Sequence, residues 1–304
     1  MTKRLTTARR AGLLVTVAVL LAAAASWRAS GGDWHNADQL ACSDCHTMHN
    51  SSNGQPMRYD NDPQPAPTLL RHSSSYALCT YCHDGSNANA PDVIGPVSYV
   101  ADPQAGFFPQ DVVTRTANPN GHDLAALNPE LPPGGTTAMT LTCVSCHAPH
   151  GNANYRNLVT DPAGTSANIA VAAYQAIKAN GSNPAQVYVQ SNVVPKSGMS
   201  DWCGACHGNF HGRTPSQEGT ASPWLRHPQD QTLSTSAHVD YAYWTGAVAN
   251  RVPVQNPTSN TIPSSSDQVF CLSCHKAHGS QNKAALIFAD GATKLSTCEQ
   301  CHNK

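Results

Sequence analysis

All twelve cysteines of the 304-residue chain fall in one pattern, Cys-x-x-Cys-His, which occurs six times. The copies pair Cys42 with Cys45, Cys79 with Cys82, Cys143 with Cys146, Cys203 with Cys206, Cys271 with Cys274, and Cys298 with Cys301. They are followed by His46, His83, His147, His207, His275 and His302. Two thiols at this spacing can form thioethers to the two vinyl groups of one haem, and the next residue sets an imidazole under the iron. Zinc ribbons, thioredoxin-like redox sites and disulfide frameworks also use Cys-x-x-Cys, but none of them requires the histidine. Histidine is 15 of 304 residues, so six chance occurrences in that position have a probability of roughly 1 in 10⁸. The chemistry indicated is covalent attachment of six haem c groups.

Nine histidines lie outside the motifs: His35, His49, His72, His122, His150, His211, His227, His238 and His278. The first, third and fifth motifs continue as His-x-x-His, which adds His49, His150 and His278. The same three are preceded by His35, His122 and His238, respectively 7, 21 and 33 residues before the first cysteine. The pattern His, Cys-x-x-Cys-His-x-x-His, Cys-x-x-Cys-His is therefore an internal repeat of a two-haem unit, present three times. Six irons need six distal ligands, and the repeat supplies His35, His49, His122, His150, His238 and His278. A histidine three residues beyond a proximal ligand cannot reach around to the opposite face of the same iron, so it must serve a different haem. His72 reads as a packing or solvated residue, and His211 and His227 stay open as alternative members of the distal set. The methionines after the N-terminal segment, Met48, Met57, Met139 and Met199, are too few and too irregular to ligate six irons.

Ligation by two histidines leaves an iron no vacant position, so the centres exchange electrons without binding substrate. The expectation is an electron-transfer protein, not an enzyme, with no catalytic residues. The alternatives weighed are a soluble periplasmic or outer-surface electron shuttle and a multihaem oxyanion reductase. Cys-x-x-Cys-Lys attachment, found in nitrite reductases of that kind, is absent.

Export is expected from the N-terminus, where four basic residues precede the apolar run AGLLVTVAVLLAAAA. Residues 1–29 read as a signal peptide with cleavage at 25–29, because 15 apolar residues fall short of the roughly 20 that span a bilayer. The mature chain, 30–304, would be a single hexahaem body of three two-haem units, about 30–115, 116–230 and 231–304.

Aromatic residues are 6% and charged residues 12%, against 22 prolines and 21 glycines, a composition that cannot build an ordinary core. Haem must supply the apolar surface. The fold class expected is multihaem cytochrome c: mostly irregular coil with short α-helices wrapped around stacked haems, and little or no β. Between motifs the chain reads as loop, except for TSANIAVAAYQAIKANG from Thr165, whose four-residue apolar spacing and Asn-Gly end predict a helix. Haem propionates would make the holoprotein acidic, and no basic patch points to nucleic acid.

ACSDCHTMHNS at Ala41, LTCVSCHAPHGNANYR at Leu141, MSDWCGACHGNFH at Met199, LRHP at Leu225, CLSCHKAHGS at Cys271 and the terminal CEQCHNK resemble the hexahaem outer-surface cytochromes of the OmcS type. That resemblance implies secreted or outer-surface cytochromes that polymerise into extracellular nanowires with bis-histidine haems in a continuous line. It further implies that His49 ligates the fifth haem, at Cys271, Cys274 and His275, of a neighbouring subunit. The partners implied are further copies of the chain, redox partner cytochromes and extracellular acceptors such as metal oxides.

Overall fold

The computed structural model describes residues 35, 40–94, 105–108, 120–124, 128–171, 175–178, 186–189, 198–210, 227–236, 239–240, 242, 252–256, 264–287 and 298–302. The signal-peptide segment, His211 and His238 lie outside the described residues. Among those described, no helix is long and apolar enough to cross a membrane.

Helices are short and sit on the attachment motifs. They are α1 (Cys42–Cys45), α2 (Ser75–His83), α3 (Cys143–Cys146) and α4 (Met199–Gly204), while Cys271–Ser273 and Cys298–Gln300 form single 3₁₀ turns. One turn suffices because the motif spans four intervals: the His46 and His147 amides donate to the Cys42 and Cys143 carbonyls at 2.9 and 3.0 Å. Helix α2, of nine residues, is the longest of the four, opened by the Ser74 hydroxyl accepting from the Ala77 amide at 3.1 Å.

Strands are two to four residues long: β1 (Ser51–Ser52), β2 (Gln55–Pro56), β3 (Gln175–Lys178), β4 (Gln186–Val189), β5 (Gln231–Thr232), β6 (Val254–Asn256) and β7 (Gln268–Val269). Strands β1 and β2 form a hairpin whose two-residue turn, Asn53-Gly54, has φ of 51° and 77°, the left-handed pair that suits the strand twist. The others form one sheet in the order β3-β4-β6-β7-β5, antiparallel except for β4 with β6. The architecture is thus mostly coil with short helices, as composition requires, and the small five-stranded sheet is an addition to it. Strand β6 buries polar side chains beside Val254. Asn256 donates to Asp267 Oδ1 at 2.6 Å, the Ser264 amide donates to Oδ2 at 2.6 Å, and Gln255 donates to Asp230 at 2.6 Å. Asp267, fully buried, is therefore tied by donors on both oxygens.

Apolar burial is dispersed. The largest cluster joins Leu158, Val171, Met199, Phe270 and Leu272, so it packs the segment following the third motif against the fourth and fifth motifs. Two smaller ones centre on Leu233 with Val254, and on Val252 with Ile287. Such small clusters fit a chain whose missing apolar volume is meant to be porphyrin.

The helix expected from Thr165 is not formed. Residues 165–171 are irregular, and Gln175–Lys178 is strand β3. Tertiary partners take the backbone groups that a helix would need. Asp161 accepts from the Thr165 and Ser166 amides at 2.9 and 2.6 Å, and the Ile169 amide donates to the Thr160 carbonyl at 2.9 Å. The buried Asn154 side chain accepts from the Val171 amide at 2.9 Å and donates to the Ile169 carbonyl at 3.1 Å. A few tenths of a kcal/mol of propensity per residue cannot compete with these.

Candidate haem sites

The six motifs fold in two ways. At the first, third and fifth sites the residue before the second cysteine, Asp44, Ser145 or Ser273, accepts from the amide preceding the first cysteine, at 2.7, 3.0 and 3.1 Å. At the first and third of these the helix stops at the second cysteine, and His46 and His147 have extended backbone, with φ of −122° and −120°. All three histidines then make an antiparallel bridge to a leucine downstream: His46 with Leu70, His147 with Leu158, His275 with Leu286. Extended backbone directs His-x-x-His away from its own motif. At the second site, by contrast, helix α2 runs through His83.

The chain returns to each odd site by a 3₁₀ turn, Pro67–Leu69, Tyr155–Asn157 or Lys283–Ala285. The hydrogen bonds repeat closely. Thr47, Ala148 and Lys276 amides donate to the carbonyls of Leu69, Asn157 and Ala285 at 2.8, 2.7 and 2.8 Å. Arg71, Val159 and Ile287 amides donate to the carbonyls of Cys45, Cys146 and Cys274, each at 2.9 Å. Each turn holds two consecutive non-glycine residues at positive φ: Thr68 and Leu69 (54°, 57°), Arg156 and Asn157 (49°, 56°), Ala284 and Ala285 (55°, 57°). Left-handed backbone costs such residues roughly 1–2 kcal/mol each.

Between those two residues lies the acceptor for the motif histidine. His46, His147 and His275 direct Nδ1 at the carbonyls of Thr68, Arg156 and Ala284, at 3.1, 2.9 and 2.8 Å. His83 and His207 direct Nδ1 at the carbonyls of Pro91 and Pro133, each at 2.8 Å. A backbone carbonyl can only accept, so Nδ1 carries the proton and Nε2 presents its lone pair, the state needed to ligate a metal. His122 and His227 are oriented in the same way by the carbonyls of Ala277 (2.6 Å) and Pro228 (2.8 Å).

Five imidazole pairs stand at almost one separation. Ring centroids are 6.1 Å apart for His35 and His83, 5.9 Å for His46 and His150, 6.1 Å for His122 and His207, 6.2 Å for His147 and His278, and 6.2 Å for His227 and His302. Every pair joins one motif histidine to one histidine outside the motifs. Two imidazoles bound to opposite sides of one first-row metal, with metal–nitrogen bonds of about 2.0–2.1 Å, have centroids roughly 6–6.5 Å apart. Ring packing does not account for the set. Interplanar angles run from 27° to 73° at constant distance, whereas the true stacks nearby, Tyr59 on Tyr81 and Phe108 on His278, close to 4.2 and 4.6 Å. The residues present fit a haem iron between each pair.

Of the expected distal histidines, His35, His122, His150 and His278 stand opposite motif histidines. His227, left open by the sequence as an alternative member of the distal set, stands opposite His302, and His238 lies outside the described residues. His49 is exposed, and among the described residues no imidazole is paired in this way with His49 or His275. His72 turns to Asp60, 3.5 Å away. His35, His147 and His227 have pKa values below the ordinary range, chiefly through desolvation, and His278 is pushed down to about 3 by desolvation and then by His147 and His122. Neutral imidazoles are the ligating form.

None of the twelve cysteines is in a disulfide, as thioether formation requires. Burial pushes Cys146 up to about 11 and Cys274 and Cys301 up to about 12. Consecutive motifs touch: the Cys79 thiol is raised first by its hydrogen bond to Cys143, and Cys203 first by its bond to Cys271. The first and second motifs are joined by side chains. Tyr59 stacks on Tyr81 at an interplanar angle of 8°, Arg71 covers its other face at 4.2 Å, and the Tyr59 hydroxyl donates to the Asp44 carbonyl at 3.0 Å.

The return-turn carbonyls and the Asp44, Ser145 and Ser273 brackets are functional features beyond those expected from sequence. The brackets had a readable signal, since the even motifs carry Tyr81, Ala205 and Gln300 at that position. The turns had none.

Residues 263–304 match the model of the doubled CXXCH motif family. Over 361 aligned positions the chain is 24% identical to the C-type cytochrome OmcS of Geobacter sulfurreducens (strain ATCC 51573 / DSM 12127 / PCA), covering 88% of this chain and 83% of that protein. The fold matches the Outer Membrane Cytochrome S filament of the same species with a TM-score of 0.50 and 21% identity, over 83% of this chain and 84% of the other. A second structure, by cryo-EM of the OmcS nanowires, has a TM-score of 0.48 and 19% identity, over 86% and 91%. In motif pattern, sequence and fold, this chain is similar to the c-type cytochromes of the OmcS type.

Proposed function

We propose that the chain is an exported hexahaem c-type cytochrome that conducts electrons and polymerises head to tail. The observation that carries this is the set of five imidazole pairs. On this reading the six motifs hold haem through their cysteines and ligate it through His46, His83, His147, His207, His275 and His302. Haem, when bound, supplies a one-electron iron couple, and the chain supplies two neutral imidazoles that keep the iron closed to substrate.

The distal ligands follow two rules. Each even site takes the histidine at the head of its own unit: His35 for His83, His122 for His207, His227 for His302. The third unit then begins before 231, at or ahead of His227. Each odd site takes the second histidine of the next unit's His-x-x-His: His150 serves His46, and His278 serves His147. Continued once more, the rule asks His275 for a ligand from a unit beyond the third, while His49, the second histidine of the first unit's His-x-x-His, has no site to serve within the chain. A second copy satisfies both, with its His49 on the fifth haem. Such an interface is heterologous, and repeated without closing into a ring it generates a filament, the form of the OmcS assembly that the fold resembles. Electron partners on this reading are cytochromes and extracellular acceptors such as metal oxides.

The test is His49→Ala. Mass spectrometry of purified wild-type chain should show six haems, and its filaments an all-low-spin ferric EPR spectrum. The variant should remain monomeric by negative stain and show one high-spin centre per chain. Wild-type chain that stays monomeric with six low-spin centres would overturn the polymer, and a haem count other than six would overturn the ligand scheme.

A further inference from the structure

We infer that the doubled left-handed turn returning to each odd site is a positioning element, which aims the motif imidazole and with it the following His-x-x-His. This rests on the ligation proposed above. Six of the ten non-glycine residues at positive φ among those described sit in these three turns, always as adjacent pairs, beginning 22, 9 and 9 residues after the histidines of the first, third and fifth motifs. Backbone kept in a sparsely populated region marks a place where the surroundings over-determine the chain, and the reason is to be sought in what the geometry delivers. Here it delivers two things. The first left-handed residue turns its carbonyl onto Nδ1 of the motif histidine, and the second turns its carbonyl back to accept from the amide following that histidine. The histidine is thus held from its ring and from its main chain by neighbouring peptide units.

None of the six residues is glycine and one only, Asn157, is of the kind that tolerates this region readily. Local preference therefore does not make the turn; its contacts do. The two even sites whose acceptor is seen use prolyl carbonyls instead, Pro91 and Pro133, and their histidines launch no His-x-x-His. The turn accompanies the sites where one histidine must hold its own iron while its neighbour three residues on holds another. Nδ1 donation to a carbonyl makes the imidazole a stronger electron donor, which favours the ferric state.

Ala284 gives the cleanest test, because its φ of 55° is free for glycine and most costly for a β-branched residue, a cost that Thr68 at 54° bears in the first turn. Haem-loaded Ala284→Gly and Ala284→Val would be compared with wild type by redox-titrated absorbance, low-temperature EPR and thermal unfolding. Ala284→Gly should keep every potential and every low-spin signal and unfold no earlier than wild type. Ala284→Val should move one of the six centres to a more positive potential and shift that centre's low-spin EPR signal. If Ala284→Val matches wild type in both, or if Ala284→Gly shifts a centre, the inference is overturned. Should Ala284→Val fail to load haem, the unfolding midpoint of Ala284→Gly decides, and a lowered midpoint overturns it. Failure of the ligation scheme is separately visible as a high-spin signal in wild-type filaments.

Discussion

On the proposed ligation His227 and His238 are rivals for the sixth haem, and the two single variants separate them. The His227 ring stands 6.2 Å from that of His302, with Nδ1 engaged by the Pro228 carbonyl, so Nε2 is the atom left for iron. Replacing it by alanine removes every ligating atom on that side and leaves the iron one protein nitrogen. The centres are six by motif count, so about one sixth of the haem should become high-spin and bind one carbon monoxide per chain when reduced. On the proposed ligation the measurement belongs on filaments, where the fifth haem would take its ligand from the neighbour. In monomers the open centres should instead rise from one to two per chain. His227→Met refines the test: a thioether in place of the imidazole keeps the centre low-spin and raises its potential. The reasoning fails if His238→Ala opens a centre while His227→Ala leaves all six closed.

Asn154 is buried and bonded to Leu158, Ile169 and Val171, so Asn154→Ala should cost about 2–4 kcal/mol, read as a lower thermal midpoint. Tyr81→Ala removes the stack on Tyr59 and should cost about 1–2 kcal/mol, with altered circular dichroism in the Soret band as the first and second haems shift. Ser145→Ala and Ser273→Ala each remove one bracket bond and should lower stability by about 0.5–1 kcal/mol in denaturant titration, whereas Ala205→Ser at an even motif should change little. The polypeptide produced without haem should show no cooperative unfolding transition by calorimetry, since its own apolar clusters are small and separate.

The attachment motifs and the alternation between odd and even sites were legible because both are set by local spacing. Cys-x-x-Cys-His is one helical turn wherever it occurs, and His-x-x-His fixes a direction as soon as the first histidine is extended. The Asn53-Gly54 hairpin is equally local. Three features were not legible, and each depends on partners far along the chain. The segment from Thr165 has helical spacing, yet Asn154 and Asp161 capture its amides. Choosing between His227 and His238 requires knowing which reaches His302, 75 residues beyond the former, and repeat symmetry alone pointed to His238, whereas the His227 ring stands 6.2 Å from that of His302. The return turns use threonine, leucine, arginine and alanine at positive φ, against their own preferences, so nothing in composition marks them.

On the proposed ligation no two-haem unit is complete by itself. Its even iron is closed from within, but its odd iron waits for a histidine that arrives only with the next unit. Inside the chain this dependence is met twice, by His150 and His278, and it ties the odd haems of successive units together through three-residue His-x-x-His links. Those links are short enough that adjacent haems must be in close contact, which is what electron transfer over a long series of centres requires. The junction between chains would be the same link again, with His49 in the place of His150 and His278. Polymerisation then needs no separate docking chemistry, and an electron crossing from one subunit to the next meets the same step it met twice within the first.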